Sequence, residues 1–151
     1  MAIDPQEFLA TAKDLLAANR READRRTSIS RAYYGVYMRF RERKSAFRIA
    51  PAVLNVSIGK SLKHDKLIRA LKECTDPLVR RIANVLHEIY TERVAADYDT
   101  QNDVSLATAQ RVYDSALALN AAIDNFGLAN LAKELEAHLR TKYASYLPPG
   151  V

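Results

Sequence analysis

The chain has 151 residues, 48% of them hydrophobic, with only 4 Gly, 5 Pro and no Trp. That length suits one domain able to bury a core, and so few chain breakers exclude a turn-rich β architecture; the expected class is all-α. One cysteine, Cys74, excludes an internal disulfide, and neither a charged-then-apolar leader nor a run of about 18 apolar residues is present, so the reading is a soluble, cytoplasmic protein with no membrane partner.

The first helix opens at Asp4-Pro5-Gln6-Glu7: Asp caps, Pro takes the first helical position where its missing N–H costs nothing, and Glu7 completes a capping box. Phe8, Leu9, Ala12, Leu15 and Leu16 recur at helical spacing to about residue 22. The second helix spans about Asp24 to Lys44 on the stripe Ile29, Ala32, Tyr33, Val36, Tyr37, Phe40. Residues 46 to 61 lose the period, include Pro51 and Gly59, and read as a long, mobile connection. A short helix covers about His64 to Cys74, and Cys74 at its end reads as a small buried hydrophobe rather than a reactive thiol.

Asp76-Pro77 starts a fourth helix reaching Asp97 or Tyr98. Asn102 or Asp103 caps a fifth, carrying Val104, Leu106, Ala109, Val112, Tyr113, Ala116, Leu119 and Ile123 and ending at Gly127 in a left-handed cap. A sixth runs from Leu128 to about Tyr143 on a leucine stripe and is followed by Pro148-Pro149. The architecture expected is an up-and-down bundle of four longer helices plus short ones, in a single domain over residues 1–151.

Charge is uneven. The net charge is +5, yet residues 20 to 48 hold ten Lys or Arg against three acids, so that segment is +7 and the rest −2. A local field of this size favours an anionic partner, RNA or DNA first, against the alternative of a solvated helix face.

Two stripes are broken by polar groups. The inward line of the fourth helix, Leu78, Ile82, Val85 and Leu86, Ile89, continues in steps of four to Arg93 and Asp97. Charges on a buried line must be paired or face a cleft. Arg before Asp is also the weaker order for a helix pair, because both charges oppose the dipole. One reading is a strut to the second helix through Tyr33, Tyr34 or Ser30; the other is a binding site. On the second helix, Arg31, Tyr34, Gly35 and Met38 form a line beside the apolar one. Gly35 in mid-helix costs about 1 kcal/mol against Ala, which implies a close approach by another helix or by a nucleic-acid backbone.

No Gly-rich phosphate loop, paired-cysteine metal motif or Gly-x-Ser-x-Gly elbow is present. His87-Glu88 lacks the second histidine of a zinc-protease helix, since that position is Thr91, and His64, His87 and His138 fall on three different helices. No metal and no cofactor are expected.

Ser30-Arg31-Ala32-Tyr33-Tyr34-Gly35-Val36-Tyr37 and Arg93-Val94-Ala95-Ala96-Asp97-Tyr98, with His64-Asp65 between them, resemble the motifs of one branch of the HEPN superfamily of small helical bundles. The resemblance spans roughly residues 5 to 125, with the C-terminal helix at about 128–143 beyond it. It implies a homodimer that acts in RNA cleavage, in toxin–antitoxin or defence modules, or beside a minimal nucleotidyltransferase. Many members pair an arginine with a histidine four to six residues later to cleave RNA. Arg93 matches the arginine, but no histidine follows through Thr100, and Met38 stands where the branch often carries another.

These readings converge on a binding module for RNA, a nucleotide or a partner enzyme, with Arg26, Arg31, Tyr34, Arg93, Asp97 and Tyr98 as its ligand-contacting residues. The alternative is a metal-independent endoribonuclease with Arg93, His64 and Tyr98 as catalytic residues. A third is a purely structural dimerisation module that docks through the leucine stripe of the last helix.

Overall fold

The structure, a computed structural model, describes residues 4–42 and 64–142. The expected connection 46–61, the basic residues Arg43, Lys44 and Arg48, and Pro148-Pro149 lie outside the described residues. Six helices and no strand are present among the described residues: α1 Pro5–Ala18, α2 Glu22–Glu42, α3 His64–Lys72, α4 Pro77–Tyr98, α5 Leu106–Phe126 and α6 Leu128–Lys142. The fold is an all-α helical bundle, and no described helix is long and apolar enough to cross a membrane.

The contacts group these helices into two compact units. The first comprises α1, α2 through Arg39, α4 from Val85 and α5 through Ala121. Its core is Leu9, Ala12, Ile29, Ala32, Tyr33, Val36, Leu86, Ile89, Val112 and Ala116, all buried. The second comprises α3, α4 through Asn84, α5 from Ala122 and α6, around buried Leu67, Leu71, Val79, Ile82, Ile123, Leu131 and Leu135. Leu131 and Leu135 are fully buried, so these two leucines of the α6 stripe face inward and form no docking surface.

The helix ends follow local chemistry where a cap is local. Asp4 Oδ1 accepts the Gln6 N–H at 2.9 Å, and Asp76 Oδ1 accepts the Leu78 N–H at 2.8 Å, each before a proline at the first helical position. Gly127, at φ 91°, ends α5 in the left-handed region and donates its N–H to Ile123 O at 2.8 Å.

Three expected boundaries move. The first helix stops at Ala18, because Asn19 turns left-handed at φ 36° and its N–H closes on Leu15 O at 2.9 Å. The next helix therefore starts at Glu22, with the Asp24 carboxylate reaching back to the Arg20 and Arg21 N–H groups, each at 3.2 Å. The fifth helix is capped by Ser105 rather than by Asn102 or Asp103: its Oγ accepts the Thr108 N–H at 3.0 Å, and Val104 stays outside the helix. Leu78, expected inside, is 55% exposed, and Val79 one position on is the buried residue of that turn.

Gly35 explains itself through α1. A Cβ placed there would lie 2.7 Å from Leu9 Cγ and 3.4 Å from the Leu9 backbone nitrogen. The close approach expected at this glycine is thus made by the first helix, and Gly35 is buried beneath it rather than open to a nucleic-acid backbone.

Cys74 is buried, its Sγ 3.4 Å from Ala70 O, and burial pushes its thiol up to about 11. The thiolate is the reactive form. A thiol reagent at pH 8 is therefore expected to label the native protein far more slowly than the denatured protein; equal rates would contradict this packing.

Candidate functional site

The polar break in the α4 stripe is bonded to α2. Arg93 Nη2 donates to the Tyr34 hydroxyl at 2.8 Å, and the guanidinium carbon sits 5.2 Å from the Tyr34 ring centroid and 5.8 Å from that of Tyr33. Arg93 Nε lies 3.0 Å from Asp97 Oδ2, an ion pair with the N–H turned away from hydrogen-bond alignment, so this buried nitrogen has no hydrogen bond. The Arg93 side chain is only 12% exposed, against 28% for that of Asp97. The strut through Tyr34 that the sequence allows is therefore made.

The same tyrosine continues the contact outward. Tyr34 and Phe8 have ring centroids 6.2 Å apart, and the Arg31 guanidinium lies 5.6 Å from the Phe8 centroid. Arg31, Phe8, Tyr34, Arg93 and Asp97 thus form one connected row, two rings flanked by two guanidiniums, with Arg31 exposed at one end. Asp97 closes the other end, beside Tyr98, which is the last residue of α4 and 72% exposed. Beneath the row, Tyr33 is fully buried and stacked on Tyr37 at 5.7 Å, which keeps the outer rings in place.

The row has definite chemical limits. Arginine stays protonated, so Arg31 and Arg93 can hold an anionic oxygen or a π face but cannot move a proton. Burial first, and then neighbouring Tyr37, push the Tyr33 phenol far above its ordinary range, so it too remains protonated. His64 opens α3 in the second unit, whereas the row belongs to the first. Among the described residues no three His, Cys, Asp or Glu side chains group in a way that could hold a metal ion.

A second cluster holds the end of α4, and nothing in the local sequence pattern announces it. Arg26 Nη1 donates to Ala96 O at 3.0 Å, to Ala95 O at 3.4 Å and to Asp99 O, while Nη2 donates to Asn102 O at 2.6 Å. Glu22 Oε1 accepts both Arg26 Nε at 3.0 Å and the Val104 N–H at 2.9 Å, and Arg25 Nε donates to Val104 O at 2.7 Å. Asp99 folds the connection on itself, its carboxylate accepting the Gln101 N–H at 3.0 Å and Asn102 Nδ2 at 2.9 Å. The only sequence signal is indirect: the last turn of α4 carries Asp97 and no basic residue, so the carbonyl end needs a cation from elsewhere.

These bonds hold Glu22 below the ordinary glutamate range, chiefly through the Val104 N–H and then Arg26, and hold Asp99 low through Asn102 and then Gln101. A lowered folded value means stability that is present above the ordinary carboxylate range and lost as pH falls through the lowered one. The difference in melting temperature between wild type and Glu22→Gln should therefore be constant near neutrality and shrink in acid. A difference that grows in acid would contradict the clamp.

The positive segment is partly committed to the fold. Arg25 and Arg26 serve the α4 end, and Arg39 Nη1 donates to the carbonyl and the side-chain oxygen of Asn120, both at 3.2 Å. Arg20 and Arg31 are exposed, and Arg21 is 76% exposed beside Asp24. Sequence reasoning missed two buried polar residues in this unit. Ser28 donates to Ala12 O at 2.8 Å, and Asn120 Nδ2 donates to Gly35 O at 3.4 Å. Both sit at interior positions of their helices, where composition gives no warning.

Comparison with protein-family models, with curated proteins and with solved structures found no match to this chain. What the fold and the row define is a class: a small all-α module with an arginine–aromatic row on one face of its first unit.

Proposed function

We propose that the chain is a HEPN-like binding module that holds single-stranded nucleic acid, RNA first, along Arg31, Phe8, Tyr34 and Arg93, with Asp97 and Tyr98 at the far end. The observation that carries this reading is the connected run of two rings, Phe8 and Tyr34, flanked by the guanidiniums of Arg31 and Arg93, with Arg31 and the neighbouring Tyr98 exposed. Phosphates seek the first kind of group and unstacked bases the second. The role we infer is binding, because the two arginines that dominate the row stay protonated and can hold a phosphate without moving a proton. The motif resemblance adds a homodimer and a small nucleotidyltransferase as partner in a two-component system, and the single cysteine adds a cytoplasmic setting.

The test is fluorescence anisotropy with a labelled single-stranded RNA pool, at low salt and with chelator. Wild type is expected to bind with an affinity that falls as salt rises. Arg31→Ala, an exposed position, should bind about tenfold more weakly and lower the salt slope by about 1. Unchanged affinity in Arg31→Ala removes the row from this role, and cleaved RNA in the wild-type sample replaces the binding reading with the enzymatic one.

A further inference from the structure

The last turn of α4 is held from two places. Arg93 pairs with Asp97 from within the helix, and Arg26 of α2 covers the helix end. The electrostatics at that end are adverse without it. Unsatisfied carbonyls give a helix C-terminus partial negative charge. This one adds Asp97 inside the last turn and Asp99 just beyond it, with no basic residue of its own there. Arg26 is the cation that answers them, reaching Ala95, Ala96, Asp99 and Asn102 carbonyls at once while Glu22 fixes its other edge. With Nε on Glu22 and both Nη1 and Nη2 on backbone carbonyls, its donors are directed at protein oxygens rather than at a phosphate.

Resting on the nucleic-acid reading of the row, we propose that Arg26 is a positioning residue: it keeps the last turn of α4 helical and thereby presents Asp97 and Tyr98 at the end of the row. The planar fork of arginine matters here, because an ammonium can supply the charge but cannot bridge carbonyls spread over eight residues, Ala95 to Asn102.

The experiment combines hydrogen–deuterium exchange by mass spectrometry with RNA anisotropy, on the full chain as wild type, Arg26→Gln and Arg26→Lys. In Arg26→Gln, amides over residues 95–102 should exchange about tenfold faster, the factor that 1.4 kcal/mol of lost local stability produces. Peptides of α1 should be unchanged, and Arg26→Lys should fall between. RNA affinity should drop by about tenfold in Arg26→Gln with the salt slope equal to that of wild type, because no phosphate contact is removed.

Unchanged exchange over 95–102 in folded Arg26→Gln overturns the proposal. So does a slope lowered by about 1, which makes Arg26 a direct phosphate ligand. Faster exchange with unchanged affinity overturns the positioning role and leaves the row standing. Absence of RNA binding by wild type removes the row reading, and with it the positioning role, while the exchange result still reports whether the latch exists. If Arg26→Gln does not fold, Glu22→Gln reads the same peptides: faster exchange there supports the latch, and no change overturns it.

Discussion

Replacing Arg93 with alanine is expected to destabilise the protein by about 2–3 kcal/mol, read by chemical denaturation. The substitution removes a charged hydrogen bond to the Tyr34 hydroxyl and a guanidinium packed against two rings, and it leaves a gap where a side chain only 12% exposed had been. Breaking a buried pair is costly mainly through the charge left behind, but Asp97 is 28% exposed and can rehydrate, so the upper range for buried pairs does not apply. Arg93→Met separates the two roles. It fills the same space without charge, so its stability should return to within about 1 kcal/mol of wild type, whereas RNA affinity should stay as low as in the alanine variant. If methionine restores affinity as well, Arg93 is only a strut.

The second large effect is at Gly35. Alanine there gains about 1 kcal/mol of helix propensity, yet its Cβ would fall 2.7 Å from Leu9 Cγ and 3.0 Å from Cδ2. Leu9 is buried, so its side chain must shift against packed neighbours to make room, while its backbone nitrogen at 3.4 Å stays in ordinary contact. Overpacking of this kind costs about 1–3 kcal/mol, which leaves Gly35→Ala a net loss of about 1 kcal/mol, and Gly35→Val should lose about 3 kcal/mol or more by the same argument. The decisive comparison is the double-mutant cycle with Leu9→Ala. Once the leucine is truncated the clash is gone and propensity remains, so Gly35→Ala should turn from destabilising to stabilising. A Gly35→Ala effect that keeps its sign in the Leu9→Ala background would refute the close approach as the reason for the glycine.

The parts of this fold legible in the sequence are those governed by neighbours in the chain. Asp4-Pro5, Asp76-Pro77 and Gly127 mark helix ends correctly because cap and capped group are within a few residues of each other. The start of α5 is not legible because residues 99–105 are folded by Glu22, Arg25 and Arg26, more than 70 positions away, and the helix starts only where that tie ends. Extending the stripe anchored at Ile82, Leu86 and Ile89 back to the first turn places Leu78 inward, but there Val79 carries the burial instead.

The candidate site divides the same way. A polar pair at the end of an apolar stripe points to Arg93 and Asp97, and the structure joins them to Tyr34 and, through Phe8, to Arg31. Phe8 carries no signal of its own, since an aromatic on the first helix reads as core. Charge counting overstates the free positive surface, because a count cannot distinguish an arginine facing solvent from one, such as Arg26 or Arg39, whose donors end on carbonyls.

The most direct test of the row is photo-crosslinking of a bound, labelled single-stranded RNA to the wild-type protein, with the adducts mapped by mass spectrometry. Adducts are expected on the peptides that carry Phe8, Tyr34 and Tyr98, weakened together by Arg31→Ala. Adducts confined to peptides without these residues would contradict the RNA-binding role of the row.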